Sequence, residues 1–126
     1  MNPLAQIFIT LAVLFHVGFF ALESLAFRNR RVQAIFAVPA QSAEAIRPWA
    51  MNQGYYNVFL AAGPAAGLVL HHTGHDAGGS ALAVYGCAFM AACGVVLIAT
   101  DRRLWRGAVL QSVPPIVALI ALAPWQ

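Results

Sequence analysis

The sequence predicts an all-α, polytopic membrane protein, an antiparallel four-transmembrane-helix bundle with a short interfacial helix between its first two spans. Composition is the first observation behind this expectation. Of 126 residues, 61% are hydrophobic and 9% are charged, against roughly 25% charged in a soluble domain. At a mean hydropathy of +0.74 the chain has too little polar surface to cover a water-soluble particle. The second observation is four apolar runs, at about residues 3–27, 49–70, 80–100 and 107–125, each near the roughly 20 residues that cross a hydrocarbon core as a helix. None shows the period-two alternation of a lipid-facing barrel strand. The third is the connections of about 21, 9 and 6 residues, short enough to make consecutive spans antiparallel neighbours. The chain reads as a single transmembrane domain over residues 1–126.

The first run is interrupted inside by His16 and Glu23, and it reads as a retained anchor. It lacks the basic start of a secretory signal and is followed, not preceded, by arginines. In the first connection Val32, Ile35 and Phe36 recur at helical spacing beside Arg28, Arg30 and Arg31, the pattern of a helix lying in the interface. Pro39 ends or redirects it, and residues 40–46 are expected to add a turn or two. Pro48 suits the first turn of the second span, where its missing N–H is not needed. In the third span Cys87 and Cys93 lie on one helix and point in different directions, so they read as structural thiols.

Charge placement orients the spans. All seven basic residues are arginines: Arg28, Arg30, Arg31 and Arg47 in the first connection, and Arg102, Arg103 and Arg106 in the third. The positive-inside rule places that side in the cytoplasm and both termini outside it. The expected location is the bacterial inner membrane. The basic balance, with a pI near 9.4, is thus an orientation signal that attracts anionic head groups; membrane lipids are the expected partners, and no nucleic acid is.

Polar residues inside the spans mark a candidate site. Glu23 falls about four residues, roughly 6 Å, from the cytoplasmic end of its span. His16 lies seven residues earlier, on nearly the same face. In the second span Gln53, Tyr56 and Asn57 follow i, i+3, i+4 spacing with Asn52 beside them, and Gln111 lies about one turn into the fourth. Such groups must face inward to be satisfied, so a polar pocket near the cytoplasmic side is expected. Glu23 would act there as general acid or base, His16 would relay a proton or orient the ligand, and Tyr56 would donate to a developing oxyanion. Asn52, Gln53, Asn57 and Gln111 would hold the ligand's polar groups. The bland reading is that these amides only join helices, at about 0.6 kcal/mol each, and that Glu23 pairs with Arg28 or another cytoplasmic arginine.

Other features are weaker. Gly63 and Gly67 form a GxxxG around Pro64 that favours an intramolecular contact, while a homo-oligomer stays open. His71, His72, His75 and Asp76 crowd an outer Gly-rich loop; no metal is assigned to them. No phosphate-binding loop, nucleophile elbow or paired-histidine zinc motif is present, and no cofactor is expected.

Residues 52–63, Asn-Gln-Gly-Tyr-Tyr-Asn-Val-Phe-Leu-Ala-Ala-Gly, resemble the NQGxYNxFLAAG signature of the bacterial and fungal domain of unknown function 1304. His16 with Glu23 is similar to its H-x6-E element, and Gln111-Ser112-Val113-Pro114 to its closing QGxPA segment, with Ser112 where glycine is usual. The outer histidines are no part of that pattern. The resemblance implies small four-span proteins and assigns no reaction. Three functions fit: a pocket for a small amphiphilic or lipid-like ligand, with isomerase, hydratase or cyclase chemistry as one use of it; a proton-coupled small-molecule exporter; and a non-catalytic membrane scaffold.

Overall fold

The computed structural model describes residues 1–123, and every described element is helical. α1 (Pro3–Phe20) begins where Asn2 caps it, its side chain accepting from the Ala5 N–H at 2.8 Å, with proline at the first helical position. It passes directly into a π-helical turn, Ala21–Leu25, closed by the Ala26 N–H donating five residues back to the Ala21 carbonyl. A short helix α2 (Arg30–Ile35) is capped by Asn29. A 3-10 turn, Ala40–Ser42, leads into α3 (Ala43–His72). α4 (Asp76–Thr100), a second 3-10 turn (Arg102–Leu104) and α5 (Trp105–Leu122) complete the chain.

The four long helices form a closed ring: α1 packs on α3 and α5, α4 packs on the same two, and α1 and α4 sit diagonally and barely touch. Adjacent helices run antiparallel. The Met1 amine lies 3.3 Å from a His71 ring nitrogen, and the Asn2 Nδ2–H donates to the Ala121 carbonyl at 2.7 Å. The start of α1 and the ends of α3 and α5 therefore share one end of the molecule. The seven arginines lie at the other, in α2, in the turns beside it and between α4 and α5, and in the first turns of α3 and α5.

At the termini end, small residues allow the helices to close. Ala5, Ile9, Ala83, Cys87, Ala118 and Ala121 form one buried cluster. A Cβ on Gly67 would stand 2.7 Å from the Gly79 carbonyl oxygen, and one on Gly79 would stand 2.6 Å from that of Gly67. Glycine is required at both positions because backbone, not a movable side chain, fills the space. Gly86 gives room in the same way to the ring of Pro64.

Three helical stretches are long and apolar enough to cross a membrane: Pro3–Leu25, Asp76–Thr100 and Arg102–Leu122. α3, which contains the expected second span, is longer than any of them, but Asn52, Gln53 and Asn57 dilute its apolar character. Several sequence expectations need correction. Pro48 lies inside α3, because the helix begins five residues before it, so its absent N–H leaves a gap in the helical ladder. The nine-residue outer connection shrinks to residues 73–75, since α3 and α4 absorb the rest. Only Gly67 of the GxxxG pair makes a close contact; a Cβ on Gly63 would meet nothing within 4 Å. The fourth apolar run was expected to reach residue 125, and residues 124 and 125 lie outside the described residues.

Candidate functional site

Glu23 reaches its position through two local features. The π turn widens the backbone at the end of α1, and Gly54 lets α3 come against it. A Cβ at Gly54 would meet Ser24 Oγ, Glu23 Cβ at 3.2 Å and the Phe20 carbonyl oxygen at 3.2 Å. The Ser24 hydroxyl donates to the Met51 carbonyl at 3.0 Å, tying the two segments one turn further on. Asn57, one turn beyond Gly54, is buried, and its Nδ2–H donates to Glu23 Oε2 at 2.7 Å.

This pair lines a cavity of about 860 Å³ inside the helix ring, at the arginine end. That volume lies within the range of small-molecule sites. Gln53 and Gln111 share the wall with Glu23 and Asn57; Phe19, Phe89, Val96 and Leu97 supply apolar surface; Ala34, Ile35 and Phe36 close one side; and Arg103, Trp105 and Arg106 stand at the connection. A carboxyl group, three carboxamides and an apolar enclosure are thus brought together. Such a set can hold a polar group by several hydrogen bonds and exchange a proton with it through Glu23. The alternative partner for Glu23, Arg28, lies instead 4.0 Å from Glu44, which Arg47 approaches at 3.4 Å.

Three expected site residues stand elsewhere. Tyr56 is 64% exposed on the outer surface of α3, and Asn52 is exposed beside it; neither lines the cavity. Positions 52 and 56 form one i, i+4 row and positions 53 and 57 the next, about 100° round the helix. The cavity takes the second row. Tyr56 therefore cannot serve an oxyanion at Glu23 from this position. His16 is fully buried but does not line the cavity. Its ring lies edge-on to Phe19, with centroids 5.9 Å apart, and its Nδ1 is 2.8 Å from the Ala12 carbonyl oxygen. A carbonyl can only accept, so Nδ1 carries the proton, and Nε2 is left buried without a partner among the described residues. The π turn breaks the seven-residue phase relation that was expected to align His16 with Glu23.

Sequence reasoning missed the wall supplied by α4, including half-buried Cys93, and the arginines at the opening. Gly54 carried a signal, since an isolated glycine within a helical pattern often marks close approach; the α4 wall carried none beyond general hydrophobicity. At the termini end the histidine cluster is drawn into local pairs. His71 is bonded to Asp76, and His75 Nδ1 lies 3.4 Å from the Thr73 hydroxyl. Among the described residues no three metal-ligating side chains converge.

No curated protein and no solved structure matches this chain. A family model described as "Protein of unknown function (DUF1304)" matches residues 10–123, which takes in the Asn57–Glu23 pair, the α4 wall and Gln111. The chain therefore belongs to the DUF1304 family.

Proposed function

We propose that this protein is a four-span membrane protein that binds a small amphiphilic or lipid-like molecule in the cavity beside Glu23 and can exchange a proton with it there. The observation that supports this reading most is the Asn57–Glu23 hydrogen bond on the wall of a largely apolar cavity. A carboxyl group with one fixed amide donor and no ion pair among the described residues is suited to meet a hydroxyl, carbonyl or amide of a ligand. Gln53 and Gln111 give that group its remaining hydrogen bonds. The apolar wall takes the rest of the molecule, which enters from the bilayer or from the arginine end.

α3 joins the three apolar helices in crossing the bilayer. At about 1.5 Å per residue its 30 residues extend about 45 Å; packing between α1 and α4 buries Asn57, and Gln53 faces the cavity. The positive-inside rule then puts the arginine connections in the cytoplasm and both termini outside. Bacterial inner membrane remains the expected location. The short helix α2, with Arg30 and Arg31 beside exposed Ile35, rests in the cytoplasmic interface.

The test is purification of the chain in phosphatidylcholine nanodiscs, followed by mass spectrometry of retained small amphiphiles. Wild type is expected to retain a species that Glu23→Gln and Asn57→Ala retain about tenfold less, the scale of one hydrogen bond to a charged group. Equal retention by a folded Glu23→Gln protein would overturn the reading. Proton-linked uptake of the species into proteoliposomes would make the same pocket an exporter's.

A further inference from the structure

The seven arginines do not share the cavity equally. Of the seven arginines only Arg103 and Arg106 line it. Arg28 and Arg47 flank Glu44 instead, and Arg102 does not line it. The two cavity arginines differ. Arg103 is held by Asp101, with Nη2 to Oδ2 at 2.7 Å and Nε to both carboxylate oxygens at 3.0 Å. Arg106 is paired with no carboxylate among the described residues; its guanidinium lies 5.4 Å from the centre of the Trp105 ring. From Arg106 to Gln111 is five residues of α5, a rise of about 7.5 Å, with the apolar residues of α4 forming the wall opposite.

We infer that the ligand is an acidic amphiphile whose carboxylate or phosphate sits at Arg106, with its apolar part passing inward along α4 towards Glu23. This rests on the reading of the cavity as an amphiphile site and adds the ligand's charge and direction. An anionic group at the inner end would face Glu23 with no cation beside it, and the two acids could share that site only by keeping a proton on one of them. At Arg106 it meets a guanidinium that no acidic side chain has neutralised, with donors arranged to grip carboxylate or phosphate in two-point fashion. Trp105 holds that guanidinium by its ring face. Arg103, already committed to Asp101, contributes its net field less than Arg106 does. The polar group of the ligand that meets Glu23 is then neutral, a hydroxyl, carbonyl or amide, which both a carboxylate and the three carboxamides can bind.

The experiment uses the full chain in phosphatidylcholine nanodiscs and radiolabelled dodecanoate, dodecyl phosphate and dodecanol, with unlabelled inorganic phosphate as competitor. Binding is read directly, and its place is read by protection of Cys93, which lines the cavity, from a maleimide; Cys93→Ala supplies the background. Dodecanoate or dodecyl phosphate is expected to bind at least tenfold tighter than dodecanol and to protect Cys93. Whichever acid binds tighter identifies the head group. Arg106→Gln is expected to remove the preference for acid over alcohol, Arg106→Lys to keep most of it, and Arg102→Gln to leave it unchanged. Displacement of dodecanoate by millimolar inorganic phosphate would mark free phosphate as the occupant of the Arg106 site.

Equal binding of dodecanol and the acids, with Cys93 protected, would overturn the charge assignment while leaving the amphiphile pocket intact. Equal loss in Arg102→Gln and Arg106→Gln would also overturn it, reducing the preference to the basic surface as a whole. Binding without protection of Cys93 would place the acid outside the cavity. No binding by any of the three amphiphiles would instead remove the underlying pocket reading.

Discussion

The two ends of the helix ring are built from the same four helices and differ in what lies between them. At the termini end α3 and α4 meet backbone to backbone through Gly67 and Gly79, and alanines fill the centre. At the arginine end the helices surround about 860 Å³ of space, and they approach closely beside it, where Gly54 meets the π turn and Gly94 of α4 meets Ala108 and Ser112 of α5. Membrane helices gain little from burying apolar surface, because lipid is as apolar as the protein interior. Close packing must therefore supply the stability, and the end where a cavity interrupts it is the end with room for a ligand.

The largest expected effect comes from filling the tight end. Gly67→Ala places a methyl group 2.7 Å from the Gly79 carbonyl oxygen, so two helix backbones must separate. Overpacking of this kind costs typically 1–3 kcal/mol. Gly63→Ala, four residues away on the same helix, meets open space and should be neutral or gain up to about 1 kcal/mol from helix propensity. Reversible unfolding of both variants in mixed micelles checks the contrast. Equal effects would mean that the termini end is no tighter than the rest of α3.

Gly54→Ala tests the corresponding contact at the open end. Ser24 Oγ can rotate away, but the Phe20 carbonyl oxygen cannot, so α3 must shift from the π turn. We expect a loss of about 1–2 kcal/mol, at the lower half of the overpacking range because the adjoining cavity accommodates movement. The same shift should lengthen the Asn57–Glu23 hydrogen bond. Amphiphile binding should therefore fall in Gly54→Ala and stay near wild type in Gly67→Ala, even where the latter loses more stability.

How much of this was legible in the sequence depends on what sort of signal each feature leaves. Apolar runs of membrane length announced the long helices, and arginine placement announced which connections share an end. Glu23, Asn57, Gln53 and Gln111 were legible because a polar side chain between apolar stretches has to be satisfied somewhere inside. Tyr56 and Asn52 were misplaced because polar residues occupied two adjacent rows of α3, and periodicity alone does not say which row faces the ring. The π turn left no trace in residue type, yet it changed the relation between His16 and Glu23. The α4 wall is hydrophobic on both its lipid and its cavity faces, so no contrast in polarity could pick out Cys93 or Phe89.

A smaller effect is expected at Ala37, beside the α2 residues that close one side of the cavity. Ala37 has φ of 54°, with its N–H donating to the Ala34 carbonyl and the Val38 N–H to that of Gln33. This pair of bonds is the C-terminal cap that glycine normally serves. An alanine there bears a strain of about 1 kcal/mol that glycine does not. Ala37→Gly should thus raise stability by up to about 1 kcal/mol, offset in part by the greater freedom of glycine in the unfolded chain. Protection of the 32–38 segment from hydrogen exchange would rise with it. Unchanged or lower stability would show that the unfolded-state entropy outweighs the relieved strain.

The smallest effect concerns Asp101, which holds the turn between α4 and α5 at the open end. Its side chain accepts from the Arg103 N–H at 2.9 Å and pairs with the Arg103 guanidinium. These bonds keep its carboxyl below the ordinary carboxylate range, hydrogen bonding to Arg103 being the chief cause. A carboxyl lowered on folding stabilises the fold above its unfolded value, near 3.9, and that contribution is lost as pH falls through the lower folded value. Asp101→Asn retains an oxygen able to cap the turn but no charge, so it should be slightly less stable than wild type at neutral pH and equal to it in strong acid. Because the pair is exposed, salt should shrink the difference. A gap between the two proteins that persists unchanged at pH 2 would assign the effect to cap geometry. A gap larger than that of Gly67→Ala would invert the contrast between the ends, making the arginine connection rather than the glycine contact the part that holds the helices together.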